Sequence, residues 1–229
     1  ALPSPEPCAE LATLAARVEP PGDAIADEVD ALRERARHAD ALLAAGAYPQ
    51  AGDEVVALAA DARASSYTPV HGEMMLLRAR VERALGRFAE AEITLRTGWA
   101  DALAAGDDEL AYRIAVQLVY VIGARLGRHA EGLEWAVHAR AELVRSGTPP
   151  RLEHMLLSAL GTLHEIRGDY DLALQEQRQA LALQEQVLPA DHPDLAHSLN
   201  NIGLAEAQLG RMEPAIVDLE HAITRYEAA

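Results

Sequence analysis

Apolar residues recur at helical spacing from about Asp23 to the end of the chain, and five glycines interrupt this pattern at nearly equal intervals. The glycines are 40, 41, 41 and 42 residues apart. Each one opens a similar six-residue stretch: Gly46–Ala51, Gly86–Ala91, Gly127–Gly132, Gly168–Ala173 and Gly210–Ala215. Because glycine readily takes the left-handed conformation that ends a helix, each stretch separates two helices. A fixed period of this length predicts a stacked array of helix pairs.

The pattern predicts ten helices, two in each repeat. The first helices are expected near 26–45, 69–85, 107–126, 151–167 and 193–209. The second helices are expected near 49–64, 89–105, 130–145, 171–187 and 213–226. The repeats then span about 26–66, 67–106, 107–148, 149–190 and 191–229, in one array from 23 to 229. The expected fold class is all-α.

The two helices of a repeat are expected to meet at small residues. Seven residues before each glycine stand Ala39, Ala79, Tyr120, Gly161 and Gly203, and five residues after it stand Ala51, Ala91, Gly132, Ala173 and Ala215. Tyr120 breaks the first column, and Gly132 is the one glycine in the second. We predict that Tyr120 fills the space that Gly132 leaves.

Residues 1–22 form a proline-rich leader that holds five of the twelve prolines. The spacing of Leu11, Leu14 and Val18 predicts a short helix over 9–18, and the rest of the leader is typical of a linker. The single cysteine, Cys8, lies here, so the chain forms no internal disulfide. A spectator thiol and a thiol with a partner upstream of this sequence both stay open.

Charge narrows the choice of partners. The chain has 36 acidic and 20 basic residues, all of the latter arginine, for a net charge of −16. This balance argues against DNA, RNA or an anionic membrane as the main partner, because each of these is negatively charged. No apolar run approaches the roughly 20 residues that span a bilayer. A cytoplasmic location is expected, or a periplasmic one if a membrane segment precedes this sequence in the full-length protein.

No constellation in the sequence predicts catalysis or metal binding. None of the nine histidines lies four residues from another, and no His-Glu-x-x-His motif is present. The sequence has no Gly-x-Ser-x-Gly turn around a nucleophilic serine. Glycines occur singly at turns rather than in a phosphate-binding loop. We therefore expect no cofactor, no metal and no enzymatic activity in this chain.

Residues Leu160–Ala173 resemble a standard tetratricopeptide repeat, and so do Ile202–Gly203, Gly210 and Ala215 in the last repeat. The connection Leu188–Gly203 resembles the longer variety of about 42 residues found in kinesin light chains and many bacterial proteins. The resemblance implies a right-handed α-solenoid of about five helix-turn-helix repeats. It also implies a protein or peptide ligand in a concave groove lined by the first helix of each pair.

Carrying the family's register over gives ten groove candidates: Arg33, Arg37, Arg80, Arg83, Gln117, Ser158, Thr162, His197, Asn200 and Asn201. Arginine can hold a carboxylate through two hydrogen bonds. An asparagine can bond both the N–H and the C=O of an extended peptide. The alternative is that the arginines are solvated or pair with nearby Glu34, Glu73 and Glu82.

A narrower resemblance concerns the leader. Pro7–Leu11 and Pro20–Pro21, followed by divergent and then standard long repeats, are similar to the C-terminal region of large bacterial serine/threonine kinases, notably from myxobacteria. This implies the non-catalytic sensing or docking region of a signalling protein whose kinase domain lies elsewhere. The alternative is a ligand-responsive repeat region of a transcription activator or of a peptide quorum-sensing receptor.

The last predicted helix has no polar helix after it. We expect it to expose Ala215, Leu219 and Ala222. Because terminal repeats normally carry a polar outer face, we expect truncation here, further repeats in the natural protein, or self-association through this helix.

Overall fold

The computed structural model describes residues 18–228, and every regular element in this range is a helix. The ten helices are α1 (Asp23–Ala44), α2 (Tyr48–Ala64), α3 (Thr68–Ala84), α4 (Phe88–Ala105), α5 (Asp108–Leu118), α6 (His129–Arg145), α7 (Pro150–Arg167), α8 (Tyr170–Val187), α9 (Pro193–Gln208) and α10 (Met212–Ala228). A π-helical segment, Val119–Arg125, continues α5. The predicted all-α fold is confirmed, and the helix bounds lie within three residues of the predicted ones when the π-helical segment is counted with α5.

The helices form two compact units that divide between Ile114 and Ala115, within α5. Unit 1 contains α1 to α4 and the beginning of α5, and α1 packs against both α2 and α3. Unit 2 contains the rest of α5, the π-helical segment and α6 to α10. In unit 1, α3 packs against α2 and α4, and in unit 2 each helix from α6 to α9 packs against the next. The predicted leader helix over 9–18, apart from Val18, and Cys8 lie outside the described residues.

The repeated glycines end the first helix of each pair in the left-handed conformation. Gly86 has a φ of 74°, and Gly46, Gly127, Gly168 and Gly210 have φ values between 71° and 84°. At the end of α3, Gly86 N–H donates to the Arg83 carbonyl at 3.0 Å and Arg87 N–H donates to the Glu82 carbonyl at 2.8 Å. These bonds satisfy carbonyls that the helix end would otherwise leave unpaired.

The small-residue columns lie in the packed interfaces. Six alanines of the two columns are at most 2% exposed: Ala39, Ala51, Ala79, Ala91, Ala173 and Ala215. At Gly203, an added Cβ would lie 2.7 Å from Leu219 Cγ and 3.1 Å from the Ala215 carbonyl oxygen. The absence of a side chain therefore lets α9 and α10 approach closely.

The third repeat departs from the predicted register. Gly132 faces Gly123 rather than Tyr120, since a Cβ on Gly132 would lie 2.5 Å from Gly123 Cα. In the π-helical segment, Leu126 N–H bonds the carbonyl five residues back, on Val121, at 2.9 Å. A wider turn rotates the side chains away from α-helical spacing. The prediction that Tyr120 fills the space beside Gly132 is therefore wrong.

The predicted exposed face of α10 is also wrong. Ala215 and Ala222 are 2% exposed and Leu219 is half-buried, because these residues pack toward α9. The exposed apolar residues of α10 are instead Met212, Ile216, Val217, Ile223 and Tyr226. Self-association through α10 stays a prediction. The surface available for it consists of these five exposed apolar residues. Between residues 18 and 228 no helix is long and apolar enough to cross a membrane.

Candidate functional site

Three of the predicted arginines lie around one cleft in unit 1. The cleft has a volume of about 430 Å³ and lies between α1, α3 and the start of α5. Its lining consists of Arg33, Ala36, Arg37, Asp40, Glu73, Met74, Leu76, Leu77, Arg80, Leu110 and Arg113. Arg83 is half-buried and does not line the cleft. The cleft thus combines an apolar floor with charged walls.

Arg33 is held in place on one wall. Its Nε and Nη2 donate to the two carboxylate oxygens of Glu73 at 3.0 and 2.7 Å. Its guanidinium carbon also lies 5.9 Å from the centre of the Tyr67 ring. The hydrogen bonds to Glu73 raise the pKa of Arg33 above its usual range. This two-bond geometry fixes the guanidinium plane between α1 and α3.

Arg80 and Arg37 also have carboxylate partners. Arg80 Nη1 lies 2.7 Å from Asp40 Oδ1. Arg37 pairs with Glu34 on the same helix, and both side chains are more than 60% exposed. Arg33 and Arg37 therefore pair with Glu73 and Glu34, as the alternative interpretation of the sequence expected. Glu82 instead accepts a hydrogen bond from Arg78 at 2.8 Å.

Arg113 was missed by the sequence reasoning. It is exposed, lines the cleft, and forms no ion pair or hydrogen bond with any residue from 18 to 228. It lies 14 residues before Gly127, in the second turn of α5, where the family register placed no groove residue. The signal for it was its position three residues after the buried Leu110. Arg113 therefore offers the cleft a guanidinium that no described carboxylate neutralises by contact.

The carboxylate of Asp107 fixes the start of α5 beside the cleft. Leu110 N–H donates to Asp107 Oδ1 at 2.9 Å, which satisfies one backbone donor at the helix start. Burial raises the pKa of Asp107, and the charge of Arg113 opposes that rise. The cap thus positions both Leu110 and Arg113.

Of the two candidates on α7 in unit 2, Thr162 bonds the backbone, whereas the buried Ser158 Oγ has no hydrogen-bond partner between residues 18 and 228. The Thr162 hydroxyl donates to the Ser158 carbonyl at 3.1 Å, and the Gln177 side-chain amide donates to the same oxygen at 3.2 Å. Gln117, on the part of α5 in unit 2, is half-buried. A role of these side chains in ligand binding stays a prediction.

The asparagine pair on α9 is divided between the surface and the interior. Asn201 is 7% exposed, and its side-chain nitrogen lies 3.3 Å from His197 Nε2. Asn200 is half-buried and His197 is exposed. Unit 2 therefore leaves Asn200 and His197 as the more accessible candidates of this helix.

Unit 2 also contains a buried histidine beside a half-buried carboxylate. His164 Nε2 lies 3.6 Å from Glu176 Oε2, and the two side chains are 11% and 16% exposed. Burial raises the pKa of Glu176 to about 7, and the charge of Arg140 opposes that rise. Burial lowers the pKa of His164. Both groups are therefore shifted toward their neutral forms.

Glu176→Gln is expected to raise the melting temperature at pH 8. A carboxyl whose pKa is higher in the folded state stabilises the fold at low pH, and this contribution is lost as pH rises from about 5 to 8. Glutamine cannot ionise, so we expect about 1–2 kcal/mol of added stability at pH 8 and less at pH 5. Thermal melts at both values measure this, with exposed Glu134→Gln as the control. An equal effect at both pH values would contradict the assignment.

No group of three or more His, Cys, Asp or Glu side chains between residues 18 and 228 could hold a metal ion. With this geometry in place, comparison with known proteins finds a match to the last third of the chain. Residues 152–228 match the family model for the tetratricopeptide repeat. None of the curated proteins matches the sequence.

Solved structures of tetratricopeptide-type proteins share the fold. BtubC (BKLC) from P. vanneervenii is 19% identical and has a TM-score of 0.68, over 97% of this chain and 88% of that one. A kinesin light chain of Podosopora anserina with nearly identical TPR-like repeats is also 19% identical, with a TM-score of 0.58 over 86% and 96%. Tetratricopeptide repeats act in protein–protein interactions, so this fold is that of an interaction scaffold.

Proposed function

We propose that this chain is a non-catalytic scaffold that binds a peptide segment of a partner protein in the cleft of unit 1. The observation that carries the proposal is the gathering of Arg33, Arg37, Arg80 and Arg113 around one cleft of about 430 Å³. Two of them are fixed by Glu73 and Asp40. A rigid wall of this kind lowers the entropic cost of binding an extended ligand.

The charges indicate an acidic partner segment. Arg113 has no contacting carboxylate among the described residues, and the exposed pair of Arg37 with Glu34 is weak enough to exchange for a ligand carboxylate. The chain's net charge of −16 does not oppose this, because at physiological salt charges farther than about 8 Å are largely screened. The guanidinium groups of the cleft therefore determine that the ligand carries negative charge.

The floor of the cleft indicates an aliphatic side chain next to the acidic one. Met74, Leu76, Leu77 and Leu110 line the cleft between its charged walls. An aliphatic ligand side chain laid on this floor would shield the adjacent guanidinium–carboxylate contact from water. Removal of water strengthens a charged hydrogen bond.

Arg113→Glu is expected to weaken binding of an acidic peptide at least tenfold, because it replaces an attractive charge by a repulsive one. The probe is a fluorescein-labelled peptide of alternating Asp and Leu, titrated by fluorescence anisotropy. Arg87→Glu is the matched control, since Arg87 is exposed, lies outside the cleft and gives the same change in net charge. Equal weakening by the two variants would show diffuse electrostatics rather than a site.

We also propose that this scaffold is the sensing or docking region of a bacterial serine/threonine kinase. The support is the sequence of the leader and the style of the long repeats. The complete reading frame tests this context. A kinase domain upstream supports it, whereas a DNA-binding domain there would favour the transcription-activator alternative.

A further inference from the structure

A second cavity in unit 1, separate from the cleft, is lined almost entirely by polar groups. It has a volume of about 240 Å³ and lies where α2 passes into α3, beside α4. Its lining is Ala62, Arg63, Ser65, Thr68, His71, Thr97 and Asp101. None of these residues lines the cleft, so the cavity has no part in the function proposed above.

A buried histidine–carboxylate pair forms one side of this cavity. His71 is 8% exposed, and its Nδ1 lies 2.7 Å from Asp101 Oδ2. His71 Nε2 has no hydrogen-bond partner among residues 18–228. The contact with Asp101 holds the ring in one orientation, so that Nε2 is the ring nitrogen left for a ligand. The pair therefore presents one fixed ring nitrogen to the cavity.

Hydroxyl groups supply further donors. Ser65 Oγ accepts a hydrogen bond from Tyr67 N–H at 3.3 Å, which leaves its O–H proton available. Thr68 is exposed and is the first residue of α3, where the positive end of the helix dipole favours an anion. Both hydroxyls line the same cavity as the buried imidazole.

Arg63 supplies the charge. It is exposed, lines the cavity, and has no ion pair with any residue from 18 to 228. Arg63 therefore offers the cavity a guanidinium for an anion, while Asp101 is in contact with His71 Nδ1. A metal ion does not suit this lining, because only His71 and Asp101 are metal ligands of the usual kinds and Arg63 would repel a cation.

We infer that this cavity binds a phosphoryl group, presented either by a small phosphorylated molecule or by a phosphorylated side chain. The three terminal oxygens of such a group can accept from Arg63, Ser65 and Thr68, and one of them can share a hydrogen bond with His71 Nε2. A guanidinium such as that of Arg63 can hold a phosphoryl group through two parallel hydrogen bonds. The pair with Asp101 keeps the imidazole oriented when the cavity is empty.

Isothermal titration of the whole chain with inorganic phosphate and with O-phospho-L-serine tests this inference. We expect millimolar or tighter binding. Arg63→Ala should weaken it at least fivefold and Thr68→Val about threefold, with melting temperatures confirming that both variants fold. Arg87→Ala is the matched control and should bind as the wild type does. Tighter binding of phosphoserine would indicate a phosphorylated side chain, and equal binding a small phosphate; either result supports the site.

Three results would overturn the inference: no binding by the wild type, unchanged affinity in Arg63→Ala, or equal losses in Arg63→Ala and Arg87→Ala. Arg113→Glu separates this site from the cleft. It should weaken the acidic peptide and leave phosphate binding unchanged, so that either proposal can fail without the other.

Discussion

Gly132→Ala is expected to destabilise unit 2 by about 2–3 kcal/mol, in the range of an overpacked core. The added Cβ would lie 2.5 Å from Gly123 Cα, 3.0 Å from Gly123 N and 3.3 Å from the Val119 carbonyl oxygen. All three atoms belong to the backbone, so no change of rotamer relieves the contact. The π-helical segment and α6 would have to move apart. Urea unfolding followed by circular dichroism measures the loss.

Gly52→Ala is the matched control. Gly52 lies in the first turns of α2 as Gly132 does in α6, but an added Cβ there would meet only Leu85 Cδ1, at 3.4 Å. Alanine is favoured over glycine in a helix by about 1 kcal/mol, so this variant should be as stable as the wild type or more so. If Gly132→Ala unfolds at the wild-type urea concentration, the close approach to Gly123 is wrong.

Arg178→Ala is expected to destabilise unit 2 by about 2 kcal/mol at pH 8, because it leaves Glu206 buried without its ion-pair partner. Glu206 is fully buried and pairs with Arg178 across α8 and α9. Burial raises the pKa of Glu206 and Arg178 opposes that rise. Loss of the arginine raises the folded-state pKa further, so stability falls as pH rises and the effect is smaller at pH 5. Chemical unfolding at pH 8 and at pH 5 measures the loss of unfolding free energy at each pH.

The double variant Arg178→Ala with Glu206→Gln tests the cause. Glutamine removes the buried charge, so the double variant should regain most of the stability at pH 8. Arg211 and Asp218 also act on Glu206 and are unchanged in both variants. A loss that is the same at pH 5 and pH 8, or that glutamine does not relieve, would show that Arg178 acts through packing alone.

The helices could be predicted from the sequence because the turn glycine and the small packing residues recur together in each repeat. A glycine that must take a positive φ and small residues at fixed distances from it determine where each helix pair begins and meets. The π-helical segment could not be found in this way. It accompanies a close backbone approach between Gly123 and Gly132, and a glycine four residues before Gly127 is no signal by itself.

The candidate site was predicted in part. The arginines of α1 and α3 followed from the family register, but their partners did not. Arg33 pairs with Glu73 and Arg80 with Asp40, and in each pair the residues are 40 apart, the length of the repeat. A separation of one period is thus a usable signal for contacts between equivalent helices of neighbouring repeats.

Tertiary packing created the remaining features. Arg113 faces the cleft because Asp107 fixes the start of α5. His71 meets Asp101 because α3 and α4 pack closely at two glycines of unit 1, Gly72 and Gly98. At Gly98 an added Cβ would lie 2.7 Å from Met75 Cβ. Neither arrangement follows from spacing along one helix.

A charge-exchange titration tests the binding of an acidic segment by the cleft most directly. Wild type and Arg113→Glu are each titrated with the Asp-Leu peptide and with the same peptide carrying Arg in place of Asp. The preference should reverse: the wild type binds the acidic peptide more tightly, and Arg113→Glu binds the basic one more tightly. If Arg113→Glu keeps the wild-type preference, or changes its affinity for both peptides equally, the cleft does not bind its ligand through Arg113.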